Sequence, residues 1–313
     1  MIRNAQLICL VAFLWMGSQK LFAQTDIGES SHWYNRGNYN PASIARPGYL
    51  YIFSNYRRQW VGIDGAPTVY NLNASGYVDE YNSAFGIALT KDEVGLTSAL
   101  NPTFQYAYRV MFREDLNLAM GLSAGIYSRE INATAYEAEV ITDPVLDYTT
   151  EKFFSPDASV GFELQSKHFL YGLSTTHLFA LWKEDDEFLI TNHRYAYFIY
   201  RNSELELYNL TAGVQVANRR NLTLVQATAI LRIKKPTGLI KGPTELFDIG
   251  VTAYSEKQLT LLTGINITRN MRVGYTYDFN FGANKIGNGS HEIVFEYRIP
   301  LRIIRDNGYP WYD

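Results

Sequence analysis

The strongest constraint on what this chain can fold into is an apolar–polar alternation with a period of two, repeated along most of its 313 residues. Tyr208, Leu210, Ala212, Val214 and Val216 alternate with Asn209, Thr211, Gly213 and Gln215. Phe247, Ile249, Val251 and Ala253 alternate with Asp248, Gly250 and Thr252. Leu259, Leu261, Thr263, Ile265 and Ile267 alternate with Thr260, Gly264, Asn266 and Thr268. The same holds for Val273, Tyr275, Tyr277 and Phe279 against Arg272, Gly274, Thr276 and Asp278, and for Ile293, Phe295, Tyr297 and Ile299 against Glu292, Glu296 and Arg298. Successive side chains of a strand point to opposite faces, so each segment has one apolar and one polar side.

A β-sandwich turns the apolar side inward, whereas a membrane barrel turns it to lipid and keeps small or polar residues in the lumen. Segment length favours the barrel: the segments run about 9–12 residues, close to what a tilted transmembrane strand needs and longer than the usual sandwich strand. Aromatic residues, 15% of the chain, cluster near segment ends, where interfacial girdles form. The polar face is mostly Gly, Ser, Thr and Asn, with a few charges such as Arg272 and Asp278. The expected fold is all-β, an antiparallel transmembrane β-barrel of about 14 strands, an even number as single-chain bacterial barrels have. The strands are expected to begin near Tyr49, Thr68, Ser83, Leu96, Leu116, Ser155, Phe169, Arg194, Leu205, Leu222, Leu246, Gln258, Met271 and Ser290. Alternating from the first strand places the short turn Ala217–Asn221 outside and the long connection Lys234–Glu245 inside, against the usual rule of short periplasmic turns. That conflict points to a miscounted segment near Tyr195–Arg201.

The first residues read as a signal peptide, residues 1–23. Arg3 supplies a positive start, Leu7 to Met16 an apolar stretch too short to span, and Ala23 the small residue before cleavage, although Leu21 is larger than usual at its position. Cys9, the only cysteine, falls inside this leader, so the exported chain has no disulfide, thiolate chemistry or cysteine-based zinc site. The expected localisation is the outer membrane, in contact with its lipid. Residues 24–48 are polar, Asn-rich and without periodicity, and read as a periplasmic arm or plug. The barrel follows over 49–300, and 301–313 form a turn-rich tail. A formal net charge of −3 argues against a nucleic-acid partner.

The chain offers little sign of an enzyme. Gly121-Leu122-Ser123-Ala124-Gly125 has the spacing of a nucleophile elbow but lies within a strand pattern, where the required sharp strand-to-helix turn is missing. The five histidines form no metal-binding spacing, and Ser290 and His291, as strand neighbours, face opposite sides. No phosphate- or dinucleotide-binding motif occurs. No cofactor or metal is expected. The acidic run Glu184-Asp185-Asp186-Glu187 reads as a solvated loop.

A set of short motifs remains. Asn40-Pro41-Ala42 precedes the first strand, Tyr56-Arg57-Arg58-Gln59-Trp60 ends it, and Asp64-Gly65-Ala66-Pro67-Thr68 follows. Tyr106-Ala107-Tyr108, Asp143-Pro144, Ser155-Pro156-Asp157, Tyr171-Gly172-Leu173-Ser174 and His177-Leu178 come next, and Gly274-Tyr275-Thr276-Tyr277-Asp278 and Gly289-Ser290-His291-Glu292 close the series. In order and spacing this resembles the PorP/SprF family of outer-membrane proteins linked to the type IX secretion system of Bacteroidota, from about Asn40 to Arg298. The stretch between Tyr254 and Met271 is shorter than the family's pattern, which suggests a lost hairpin. The resemblance implies a non-enzymatic barrel of a secretion and gliding-motility apparatus. Such a barrel would present or anchor a secreted surface protein with a C-terminal sorting domain, alongside periplasmic and lipoprotein components of the machine. Arg57, Arg58, Gln59, Trp60, Asp64, Asp143, Asp278, His291 and Glu292 are its candidate partner-binding or structural positions. The alternative is a transport barrel for a small or hydrophobic solute, which calls for an N-terminal hatch and an apolar lumen pocket.

Overall fold

A computed structural model describes residues 28–132, 150–182, 190–202, 204–205, 207–219, 222–234, 245–268, 270–281 and 287–301. Fourteen antiparallel strands close into one barrel. They are β1 (Tyr49–Arg58), β2 (Thr68–Val78), β3 (Ser83–Val94), β4 (Thr97–Arg113), β5 (Leu116–Asn132), β6 (Thr150–Gln165) and β7 (Phe169–Thr176). The second half holds β8 (His193–Asn202), β9 (Tyr208–Arg219), β10 (Leu222–Lys234), β11 (Glu245–Tyr254), β12 (Gln258–Asn266), β13 (Met271–Asn280) and β14 (Ser290–Pro300). Each strand pairs with its sequence neighbours, and β1 closes on β14 from Tyr49 opposite Pro300 to Arg58 opposite His291. Closure leaves no sheet edge to satisfy in lipid. The only helical pieces among the described residues are short 3-10 turns, such as Arg36–Asn38 and Pro41–Ile44.

The suspected miscount does not exist. Tyr195–Arg201 lies inside β8, a single strand paired with β7 at His193–Thr176 and with β9 at Asn202–Leu210. The long connection 235–244 therefore sits at the same end as the chain's entry into β1 and exit from β14, an exception to the usual loop rule rather than a sign of a missing strand. Between Tyr254 and Met271 the chain forms a single strand, β12, which pairs with both neighbours. Two starts differ by more than one residue: β6 begins at Thr150 rather than Ser155, and β9 at Tyr208 rather than Leu205. Thr150–Phe154 pair with Ser128–Asn132, where Thr150, Glu151, Lys152 and Phe154 are all exposed. Alternation fades there because both faces of the hairpin meet a similar environment. The leader, Asp143 and the acidic run lie outside the described residues, as do residues 302–313 of the tail.

The two faces sort as the alternation predicts. Leu122, Ile249, Ile265 and Ile293 are more than half exposed on the outside. Their neighbours Ser123, Asp248 and Glu292 are buried in the lumen. Aromatic residues pair across outward faces, Tyr56 with Tyr70 and Phe169 with Phe198. The lumen departs from expectation in one respect: it is a packed interior. Phe53, Leu170, Tyr197, Ile199, Leu262 and Val294 point inward and pack on Trp33, Tyr34 and Tyr39 of the segment before β1. Substituting Leu122, near the middle of β5, with Arg is expected to cost about 2–4 kcal/mol, as charge on a lipid face does at mid-membrane. Leu122→Asn should cost less, and urea unfolding of the barrel in lipid vesicles measures both.

Candidate functional site in the barrel lumen

Residues 28–48 run through the inside of the barrel. Ser31, Asn40 and Ala42 are fully buried, and Trp33, Tyr34 and Tyr39 nearly so. Tight turns explain how the chain doubles back in so little space. At Asn40, in extended conformation, the side chain accepts from Ala42 N at 3.0 Å and caps the 3-10 turn that Pro41 starts. Two glycines of the wall make room for that turn. A Cβ on Gly121 would sit 2.2 Å from Ala42 N, and one on Gly161 would sit 2.0 Å from Asn40 Oδ1. The Gly and Ser of the apparent nucleophile elbow are thus the lumen side of a continuous strand, shaped to accept a backbone.

Wall side chains hold the segment through three ionic clusters. In the first, Arg57 Nη2 lies 2.6 Å from Asp278 Oδ2 and Arg57 Nη1 lies 3.5 Å from Glu292 Oε2. Ser30 N donates to Glu292 at 2.8 Å and Ser30 Oγ to Asp278 at 2.7 Å, while Ser31 Oγ also donates to Glu292. Asn55 and Thr260 complete it, donating to Glu292 and Asp278 at 2.5 and 2.6 Å. In the second, Arg272 bridges Asp248 and Glu296 and lies 4.0 Å over the Tyr34 ring, whose hydroxyl donates to Asp248 at 2.5 Å. In the third, Arg36 Nε donates to Glu163 at 3.1 Å. Tyr197 Oη donates to the same carboxylate at 2.5 Å, and Asn40 Nδ2 donates to Tyr197 Oη at 2.8 Å.

These contacts order the segment along the barrel axis. Arg57, Asp278 and Glu292 lie near the strand ends that feed the connections 59–67 and 281–289, so Ser30 sits at the end of the barrel opposite the entry into β1. Asp248 and Arg272 lie near the other end, so the chain has crossed the lumen by Tyr34. It then turns back to Asn40 before leaving through Gly48 into β1.

Of the nine candidate positions, the fold unites Arg57, Asp278 and Glu292. Arg58 and His291 are opposite each other in register on the outer face, where His291 meets Tyr275 and Tyr277. Gln59 and Trp60 stitch the connection after β1 in place: Gln59 N donates to Pro67 O at 2.8 Å and Trp60 N to Ser290 Oγ at 3.3 Å. Trp60 adopts a left-handed φ of 49°. Asp64 is exposed in that turn, and Asp143 is outside the described residues. Sequence reasoning missed Ser30, Tyr34, Arg36, Glu163, Asp248 and Glu296 as lumen partners. Glu163, Asp248 and Glu296 signalled only as polar residues on the inward phase of their strands, and Ser30, Tyr34 and Arg36, in the aperiodic segment before β1, gave no local signal.

Buried charge makes the first cluster sensitive. Arg57→Ala would leave two carboxylates buried without their cation and is expected to destabilise by about 3–5 kcal/mol. Arg58→Ala, on the outside, should change stability by less than about 0.5 kcal/mol. Thermal unfolding of the folded barrel in detergent compares the two. Glu29 carries a second sensitivity. Burial pushes its carboxyl up to about 8, with Glu292 adding to the rise and Asn38 and Arg219 opposing it. A folded value above the ordinary 4.5 means that this group's contribution is full below about pH 4.5 and is lost as pH rises toward 8. Glu29→Gln should match the wild type near pH 5 and melt higher near pH 8, by roughly 2–4 °C per kcal/mol relieved.

Among solved structures, the Ralstonia pickettii toluene transporter TbuX aligns over 90% of this chain and 96% of its own, at 12% identity and a TM-score of 0.52. The CymD monoaromatic hydrocarbon channel aligns over 91% and 96%, at 11% identity and 0.49. A Pseudomonas aeruginosa FadL homologue aligns over 88% and 94%, at 11% identity and 0.46. At such identity the likeness to TbuX shows a common barrel fold and no more. No curated protein matches the chain. Residues 21–297, however, match the family described as type IX secretion system membrane protein PorP/SprF. With that match spanning the lumen segment and all but the end of the fourteen-stranded wall, the chain belongs to the PorP/SprF family of type IX secretion membrane proteins.

Proposed function

We propose that this barrel serves type IX secretion as a plugged, non-enzymatic docking component of the outer membrane, which anchors or presents a secreted surface protein bearing a C-terminal sorting domain. The observation that carries the reading is the lumen segment, pinned by the buried Arg36–Glu163 ion pair on β6 and by hydrogen bonds from Ser30 and Tyr34 to carboxylates of β11, β13 and β14. Pulling the segment out would strip Glu163 of the Arg36 cation and Asp248, Asp278 and Glu292 of buried hydrogen bonds. A hydrocarbon channel would want an apolar pocket, whereas the inner wall here carries Asp, Glu, Arg, Asn and Gln.

The connections suggest the orientation. Short turns at 79–82, 114–115 and 166–168 gather at the end where the chain enters β1, which we assign to the periplasm. The long connections 133–149 and 177–192 leave from the other end, which we assign to the exterior. Partner contacts would then divide: machine components beneath the barrel and the secreted protein above it. The leader of residues 1–23 would bring the chain to this membrane.

A tagged full-length barrel, extracted from native membranes in mild detergent, should co-purify with a sorting-domain protein or a secretion component. Recovery as a lone monomer would sink the docking reading. In planar bilayers the purified barrel is expected to conduct little, and substantial selective permeation would favour transport instead.

A further inference from the structure

The outer face changes character in steps toward the barrel end that bears the connections 59–67 and 281–289. Strand register groups its residues into rows that run across β14, β1 and β2. Phe295, Ser54 and Leu72 form one row. The next holds Ile293, Tyr56 and Tyr70, with Tyr275 of β13 beside Ile293. The last holds His291, Arg58 and Thr68, with Tyr277 of β13 beside His291. Each row lies two residues further along the strand, roughly 7 Å, which is about the depth of one headgroup layer. An apolar row, an aromatic row and a polar row in that order match hydrocarbon, interface and headgroups. Arg58, exposed at the end of β1, therefore stands at headgroup level.

No protein group answers this cation: the Arg58 guanidinium makes neither an ion pair nor a hydrogen bond among the described residues. The carboxylate in its row, Glu93 beyond Thr68, is held by Lys91 at 2.6 Å. An unpaired guanidinium on a lipid-facing wall is stable only where it reaches the interface and its anions. Both lateral neighbours of Arg58 are donors. Thr68 brings a hydroxyl with no partner among the described residues. His291 turns Nδ1 to the Tyr275 hydroxyl and packs edge-on against Tyr277, 4.9 Å between ring centres. With that hydroxyl donating to Nδ1, the ring proton lies on Nε2. We infer that Arg58, flanked by Thr68 and His291, binds the phosphate of a lipid headgroup. The guanidinium fork takes two phosphate oxygens, and the tetrahedral group still turns oxygens toward the neighbouring strands, about 5 Å to either side. A planar carboxylate would spend both oxygens on the fork alone. Acyl chains below the headgroup meet the Phe295 and Leu72 row, which a free anion would not use. The inference rests on the membrane barrel and not on the docking reading, so either can fail alone. With the barrel ends assigned as above, the lipid belongs to the outer leaflet.

Native mass spectrometry of the full-length barrel, purified in a neutral detergent, counts the lipids that stay bound. The probes are dimyristoyl phosphatidic acid, dimyristoylglycerol, which lacks the phosphate, and inorganic phosphate. The wild type should retain phosphatidic acid at least five-fold more than the diacylglycerol. Arg58→Gln should lower that retention at least five-fold. Arg194→Gln, which removes an exposed outward arginine near the same barrel end on β8, should leave it unchanged. A large excess of inorganic phosphate should not displace the lipid; full displacement would mean a site for a free anion and would overturn the lipid assignment. Equal loss in the two variants would mean attraction by overall charge alone, against the proposal. Equal retention of phosphatidic acid and diacylglycerol by the wild type overturns it even if a variant fails to fold.

Discussion

Charge buried inside a closed wall must be answered from inside that wall, and the rest of this structure follows from that requirement. Arg57, Asp278, Glu292, Arg272, Asp248, Glu296 and Glu163 all point into the lumen and are almost fully removed from solvent. A carboxylate in such a setting is tolerated only with a cation and hydrogen bonds around it. The wall supplies part of that, for example Arg57 for Asp278 and Arg272 for Asp248. The segment 28–48 supplies the remainder through Ser30, Ser31, Tyr34, Arg36 and Asn40. Segment and wall are therefore one polar structure, and neither is complete alone.

The same contacts explain why the interior also holds apolar side chains. Once a polypeptide fills the lumen, inward positions can be greasy without facing water. Phe53, Leu170, Ile199, Leu262 and Val294 use that freedom, packing on Trp33, Tyr34 and Tyr39. The barrel so has two apolar surfaces of different kinds: a lipid-facing exterior, and an internal core of the sort found in water-soluble domains. Gly121 and Gly161 show how closely segment and wall fit, since no side chain larger than hydrogen leaves space for Asn40-Pro41-Ala42.

Much of the wall was legible. The alternation places Ile249, Ile265 and Ile293 outside and Asp248, Thr260 and Glu292 inside, and it yields fourteen strands with most starts within a residue of those observed. The doubt over Tyr195–Arg201 came from trusting loop lengths, which follow function and history more than strand physics. Of the candidate site, Arg57, Asp278 and Glu292 carried a signal as charges on the polar phase of their strands. Arg58 and His291 stood beside them in the same motifs and turned out to face the opposite way, as neighbours in a strand must.

What the sequence by itself determined is local: period-two patterning decides strand, face and approximate length, because it depends only on a residue's immediate neighbours. The 28–48 segment has no such period, since its side chains meet the wall on all sides, and its place could not be read from its own residues. Only the tertiary structure decided that Ser30 would lie between Asp278 and Glu292, or that Arg57 would pair with a residue 221 positions away. Those meetings depend on barrel closure, which joins β1 to β14 and brings β13 beside them. Closure is a property of the whole sheet, and no single segment carries it.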